Sequence, residues 1–297
     1  RYLKMLETSI RFIKCIKCNG KLDVDIYKNN SEIDEGILKC EKCQLVFPII
    51  DKIPIMFMDF QKYLSEHKIL SGKLYRLAST QQMKDFLKSS LSNLGWNKSD
   101  KTLLEERWSK IYKNNKNSKF YKLIKSHIES IPKSKLVLEY GCSIGIITTH
   151  SSKSNEMVFG IDKSFSAIQI ARQNKKNNID YIVSDFKYNP FLNTKFDLII
   201  ALNVLELMEP EILLKQISKQ ISLGYVIISD PYDFERGKNS VKNPMNEILL
   251  RKKLKNLKFK ITSKTKIPSN IQWNLKLYDR ASLNYKVDIV IAKKENV

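Results

Sequence analysis

The feature that most restricts the fold of this chain is an ordered series of a strand, a glycine turn, a helix start and a second strand ending in an acid. Residues 135–140, Lys-Leu-Val-Leu-Glu-Tyr, read as a buried strand. Gly141-Cys142-Ser143-Ile144-Gly145 follows, and a helix can begin directly after it. Residues 157–161, Met-Val-Phe-Gly-Ile, form a second strand that ends at Asp162, 21 residues after Gly141. That is close to the spacing of about 20 at which a second-strand acid reaches ribose hydroxyls. Strands joined through a helix pair in parallel, so an α/β domain is expected.

Three chemistries use such a loop. As Gly-x-Ser-x-Gly it imitates the nucleophile elbow of serine hydrolases, with Ser143 exposed at the turn. That architecture needs a histidine late in the chain, and the three histidines are His67, His127 and His150. A dinucleotide site needs Gly-x-Gly-x-x-Gly so that backbone can approach a pyrophosphate, and Ser143 and Ile146 break that pattern. What remains is Glu139-Tyr-Gly-Cys-Ser-Ile-Gly145, an acidic-x-Gly-x-small-x-Gly loop. It resembles the loop of class I S-adenosylmethionine-dependent methyltransferases.

The resemblance spans roughly residues 136–293 and implies a doubly wound, Rossmann-like domain on a seven-stranded, mostly parallel sheet. It implies S-adenosylmethionine as cofactor, with Glu139, Gly141, Cys142, Ser143 and Gly145 in the loop around it. Asp162 corresponds to the ribose acid, with Lys163 beside it; Asp185 and Phe186 correspond to the adenine contacts, and Asn203 to the end of the fourth strand. Ser143 stands where glycine is commoner, and Leu207 where many small-molecule members carry histidine. Capping is the plain alternative for Glu139, Asp162 and Asp185, and small buried filler for Cys142.

Ahead of this domain, Cys15-x-x-Cys18 and Cys40-x-x-Cys43 lie 21 residues apart and form two knuckles, each turning two thiolates toward one tetrahedral ion. Residues 21–27 alternate like a strand between them. A cytoplasmic location disfavours two disulfides, and the lack of a surrounding βαβ pattern disfavours a redox pair. A zinc ribbon follows, its four protein ligands leaving no open position, so its zinc is structural. The tail, residues 44–57, carries Phe-Pro-Ile-x-x-x-Ile-Pro and resembles, over about residues 13–58, the zinc-binding family of small methyltransferase activators. That resemblance implies a ribbon docked beside a methyltransferase and stabilising it, here within one chain.

Between the two, apolar residues recur at helical spacing, as in Met83, Phe86, Leu87 and Leu91. The expected organisation is a zinc ribbon over 1–59, a helical connection over 60–131 and the cofactor domain over 132–297. Trp108, Tyr112 and Tyr121, around the loop 113–119, are either helix-packing residues or a lid over the cofactor. The alternating residues 283–291 can be an antiparallel last strand, and Ile271, Trp273, Leu275 and Leu277 an added edge strand.

The fifth strand, residues 224–229, runs into Asp230-Pro-Tyr-Asp-Phe-Glu-Arg236 at the carboxyl edge of the sheet, where open α/β sheets bind ligands. Asp230, Tyr232 and Asp233 are the expected catalytic residues, with Arg236 near the acceptor and Asp230 or Asp233 taking a released proton. The loop is faintly similar to that of methyltransferases acting on thiolated histidine in ovothiol synthesis. A net charge of +21 points to nucleic acid, yet only eight of the 52 basic residues are arginine, so a Lys-rich solvated surface is the favoured reading. The runs 113–125 and 251–260 are the densest. The apolar run 45–60 is broken by Pro48, Asp51, Lys52, Pro54 and Asp59, and no membrane partner or cleaved leader is expected. The chain is thus expected to be a cytoplasmic methyltransferase for a small metabolite. RNA or protein methylation is the alternative, and a non-catalytic S-adenosylmethionine-binding scaffold a third.

Overall fold

The computed structural model describes residues 5–92, 94–95, 100–191, 193–237 and 241–295, without the side chains of 5–7, 236 and 237. In chain order the first elements are α1 (Met5–Ile10), β1 (Leu22–Asn29), β2 (Ile33–Cys40), β3 (Val46–Ile50) and β4 (Ile53–Met56). Five helices follow: α2 (Phe60–Ser65), α3 (Lys68–Leu77), α4 (Gln81–Leu91), α5 (Thr102–Asn114) and α6 (Lys119–Glu129). Strands and helices then alternate as β5 (Leu136–Tyr140), α7 (Ile146–Ser151), β6 (Met157–Asp162), α8 (Phe165–Arg172), β7 (Ile179–Ser184), β8 (Leu198–Leu202), α9 (Pro210–Gln220) and β9 (Gly224–Asp230). The chain ends in α10 (Glu247–Asn256), β10 (Phe259–Ile261), β11 (Ile271–Tyr278) and β12 (Ala281–Lys294).

Two compact units emerge, the first comprising residues 1–110, 143–145 and 161–193. Its strands β1, β2, β3 and β4 form an antiparallel meander, with Leu38 opposite Phe47 and Ile50 opposite Ile53. Asp51 and Lys52 turn the last hairpin at φ +53 and +65, the two-residue geometry whose twist suits flanking strands. Glycine is usual there; Lys52 is held instead by its N–H on the Asp34 carbonyl oxygen at 3.0 Å. β4 then pairs in parallel with β7, Ile55 opposite Val183 and Met56 opposite Ser184. The tail of the cysteine segment therefore continues into the sheet that carries β7. Ile-Pro-Ile-Met lacks polar alternation and is buried throughout, as a strand covered on both faces requires.

Charge fastens the same join. Glu32, in the β1–β2 turn, meets Arg172 at 3.0 Å and Lys175 at 2.5 Å; Lys175 also reaches the buried Asp180 at 2.9 Å. Glu35 is buried in β2 and receives the N–H and hydroxyl groups of both Ser79 and Thr80, ahead of α4. Burial alone would raise the Glu35 carboxyl; the Thr80 and Ser79 donors hold it below its ordinary range.

The second unit comprises residues 111–142, 146–160 and 194–297. β5, β8 and β9 run in parallel, with Glu139 opposite Ile200 and Ile200 opposite Ile227. β12 lies antiparallel on β9, Val290 opposite Ile228, and also pairs with β10 and β11. The expected antiparallel last strand and added strand are both present. In β11 Trp273 and Leu275 point inward while Gln272, Asn274 and Lys276 face solvent, the two-residue period of a half-buried strand. Trp273 packs among Phe120, Tyr121, Tyr112 and Tyr285, so Tyr112 and Tyr121 are packing residues. The expected loop from 113 is shorter than anticipated: α5 continues through Asn114, and Ser118 caps α6.

Among the described residues no helix is long and apolar enough to cross a membrane. Replacing Glu35 by alanine removes four donors' acceptor and is expected to lower the unfolding free energy by about 3 kcal/mol, measured in urea. Because the folded carboxyl titrates below its unfolded value, this contribution is present at neutral pH and fades as pH falls through the folded pKa. The difference between wild type and Glu35→Ala should narrow accordingly in acid.

Candidate functional site

In the first unit, Ser143 and Gly145 both have left-handed backbone, φ +49 and +71. A side chain at Gly145 would collide with the Tyr181 hydroxyl and lie 3.0 Å from the Ala171 Cβ, so only glycine fits. Asp162 ends β6 half-buried, and its two carboxylate oxygens accept the N–H of Ser143 and of Ser164, each at 2.9 Å. The glycine loop and the second-strand acid, 19 residues apart, are thus brought together. An ionised carboxylate has about four acceptor positions, so two N–H donors leave room for two hydroxyls. Burial, to which the Glu105 charge adds, pushes Asp162 above its usual range. Lys163 extends to Asp185 at 3.2 Å, and Asp185 accepts the Lys187 N–H at 3.0 Å, capping a turn that buries Phe186. Asp185 therefore has both the capping role and a partner in Lys163.

In the second unit, Glu139 is 3% exposed on β5 and accepts the Thr148 hydroxyl of α7. Gly141 follows at φ +66, and Cys142 is buried. Asn203, at φ +54 after β8, donates its N–H to the Ser229 carbonyl oxygen at 2.7 Å and accepts the Ser229 hydroxyl at 3.1 Å.

The three expected catalytic residues differ in their surroundings. Asp230 is fully buried and accepts the N–H groups of Leu205 at 3.0 Å and Tyr232 at 2.8 Å. Burial and the charge of the adjoining Glu206, also fully buried, raise Asp230 far above the carboxylate range. Tyr232, at φ +54, donates its hydroxyl to Asp288 at 2.9 Å, and Arg251 clamps Asp288 with two contacts at 2.6 and 3.0 Å. Asp233 keeps a partly exposed carboxylate. The side chain of Arg236 lies outside the described residues, and Leu207 is 41% exposed. Glu206 was missed by the sequence reading; a lone acid inside Val-Leu-Glu-Leu-Met was the available signal.

The sulfur atoms of Cys15, Cys18, Cys40 and Cys43 all lie within 4.8 Å of one another, and none is in a disulfide. Cys18 and Cys40 have their sulfur atoms 3.4 Å apart, and Cys15 and Cys43 3.6 Å. A tetrahedron with zinc–sulfur bonds of about 2.3 Å has edges of about 3.8 Å, which falls between these two separations and the 4.8 Å limit on all pairs. The knuckles match in detail: Asn19 and Gln44, each following the second cysteine, have φ +63 and +60 and donate to the carbonyl oxygens of Cys15 and Cys40. A Cβ at Gly20 would sit 2.9 Å from the Cys40 sulfur and 3.2 Å from that of Cys18, so glycine leaves the space the thiolates need. The donor set can hold a tetrahedral ion.

Residues 137–222 match the family described as a methyltransferase domain. The chain is a methyltransferase. No curated protein matches it. Among solved structures, the complex between the Haloferax volcanii Trm112 methyltransferase activator and the putative methyltransferase aligns at 12% identity, covering 66% of this chain and 97% of that one, with a TM-score of 0.50. Magnesium protoporphyrin IX methyltransferase of Synechocystis PCC 6803 with bound SAM aligns at 17% identity over 68% of this chain and all of that one (100%), TM-score 0.48. A TehB-like SAM-dependent methyltransferase of Corynebacterium glutamicum ATCC 13032 aligns at 18% identity over 65% and 99%, TM-score 0.48. At such identities the likeness bears on the fold alone, a mixed α/β, Rossmann-like methyltransferase fold, and the first of the three carries it.

For this methyltransferase, Gly145→Ala should lose about 2 kcal/mol of stability through positive-φ strain and the Tyr181 collision. Thermal unfolding measures this.

Proposed function

We propose that this methyltransferase transfers the methyl group of S-adenosylmethionine to a small metabolite. The cofactor domain is taken as residues 132–297 on a seven-stranded sheet, preceded by a zinc ribbon over 1–59 and a helical connection over 60–131. The observation that carries the reading is the 2.9 Å hydrogen bond from the Ser143 N–H, inside the glycine loop, to the Asp162 carboxylate. It couples the loop to the acid at the second-strand end, where a nucleoside is recognised in doubly wound sheets.

In this reading Asp162 accepts the ribose hydroxyls and Asp185, paired with Lys163, faces the adenine amino group beside Phe186. Glu139, Gly141, Cys142, Ser143, Gly145 and Asn203 complete the cofactor residues. Bound there, the cofactor supplies an electrophilic methyl on a sulfonium. The chain's task is to align an acceptor lone pair with the methyl–sulfur bond, to exclude water and to hold the proton that an N–H or O–H acceptor gives up. Asp233 is the better placed proton acceptor of the two expected, because the Asp230 carboxyl is buried and engaged by the Leu205 and Tyr232 N–H groups, whereas Asp233 is partly exposed. Asp230 and Tyr232 set the loop.

A small acceptor is favoured over RNA by the fate of one of the densest basic runs. Arg251 is buried against Asp288, and Lys253 pairs with Glu211 at 2.7 Å, so neither presents a free charge to phosphate. The four cysteines are proposed to hold one structural zinc.

Incubation with methyl-labelled cofactor and size-fractionated cell extract is expected to place label in the small-molecule fraction; label in RNA or protein would reassign the acceptor, and none at all would favour a scaffold. Metal analysis of the purified chain should give about one zinc per chain. Cys40→Ser should lower that content together with thermal stability, and a fully metal-free, folded wild type would remove the zinc assignment.

A further inference from the structure

The helices between the cysteine segment and the glycine loop bring three polar side chains to the Asp162 turn, all within the first unit. Tyr63 on α2 is buried and donates its hydroxyl to the Lys163 carbonyl oxygen at 3.3 Å, its ring stacked on Phe57 at 4.1 Å. His67, also buried, lies with Nδ1 2.8 Å from the Tyr63 carbonyl oxygen and Nε2 2.9 Å from Glu105 Oε1 on α5. A carbonyl oxygen accepts, and so does a carboxylate, so this is the arrangement that suits an imidazolium donating from both ring nitrogens. Burial opposes that charge, but Glu105 outweighs it and raises His67 above its ordinary range.

Glu105 Oε2 is left buried with no hydrogen-bond partner among the described residues. A buried acceptor of this kind costs stability until a donor reaches it. Hydrogen bonds tie Glu105 to His67, His67 to Tyr63 and Tyr63 to the carbonyl oxygen of Lys163, the residue after Asp162, so both carboxylates belong to one bonded cluster and each keeps unused acceptor positions. A ligand bearing two adjacent hydroxyl donors answers both.

We propose that Glu105 is a second acceptor for the ribose diol of the cofactor, opposite Asp162, with His67 as the positioning residue that orients it. The inference rests on reading Asp162 as the ribose acid. It assigns to the helical connection a direct part in holding the nucleoside. His67 fixes one Glu105 oxygen and leaves the other for the ligand; the Tyr63 contacts lock His67 in turn to the backbone that follows Asp162.

The test is calorimetric titration of the full, metal-loaded chain with S-adenosylhomocysteine and with its analogue lacking both ribose hydroxyls. Glu105→Gln, close to isosteric, is expected to weaken S-adenosylhomocysteine about tenfold, the range of a hydrogen bond to a charged group. It should leave the analogue's affinity unchanged. His67→Ala should show the same selectivity, with little further effect in the Glu105→Gln background. Asp162→Ala serves as the reference. If Asp162→Ala loses affinity while Glu105→Gln binds like wild type, the Glu105 proposal falls and the cofactor reading stands. Equal weakening of both ligands by Glu105→Gln would make Glu105 structural and overturn the proposal. Unchanged affinity in Asp162→Ala would remove the ribose assignment and this inference together. Glu105→Asp, which keeps the charge and shortens the reach, guards against a folding defect in the glutamine variant.

Discussion

One carboxylate fixes the parts on which the candidate site depends. Asp162 accepts an N–H from the glycine loop and another from the turn that opens α8, so a single side chain sets the loop against the helix start. The loop needs such an anchor because Ser143 adopts a backbone conformation that L-residues seldom favour. Ser164 extends the arrangement by capping α8, its hydroxyl accepting the Ala167 N–H at 3.2 Å. The conformation of the loop, the direction of the helix and the orientation of the acid are therefore one problem with one solution.

Much of this was legible in the chain because it rests on local rules. Glycine in a left-handed turn, an acid at the end of a strand and paired cysteines at knuckle spacing each constrain a few neighbouring residues, and the structure places Ser143 and Asp162 together as well as the four sulfur atoms. What the sequence did not disclose depends on residues far apart in the chain. β4 was legible as an apolar segment, but its parallel pairing with β7 joins positions more than 120 residues apart and leaves no mark on either segment alone. The His67–Glu105 contact spans 38 residues between two helices whose apolar periodicity gives their faces but not their partners. Glu206 carries no local mark of its burial, which becomes visible only when its neighbour Asp230 is placed.

The acceptor-side loop follows a different physical rule. Asp230 and Glu206 are two fully buried acids side by side, and burial together with the neighbouring charge raises the Asp230 carboxyl far above its ordinary range. Nearby, Asp288 takes the opposite solution: Arg251, Ser269 and Tyr232 all donate to it, and its carboxyl is held below the ordinary range despite burial. Tyr232 touches both acids, by its N–H to Asp230 and its hydroxyl to Asp288.

The antiparallel meander also changes what kind of border the first unit offers to other molecules. With β4 seated on β7, the exposed rim of that set of strands is β1. β1 carries Asp23, Asp25 and Lys28 and breaks register twice near Lys28, where two irregularities interrupt its pairing with β2. Charges and bulges on an outermost strand discourage a second chain from adding to it. The cysteine segment thus spares β7, whose six residues are all buried, from being a sticky rim, and leaves the unit bounded by a strand poorly suited to aggregation.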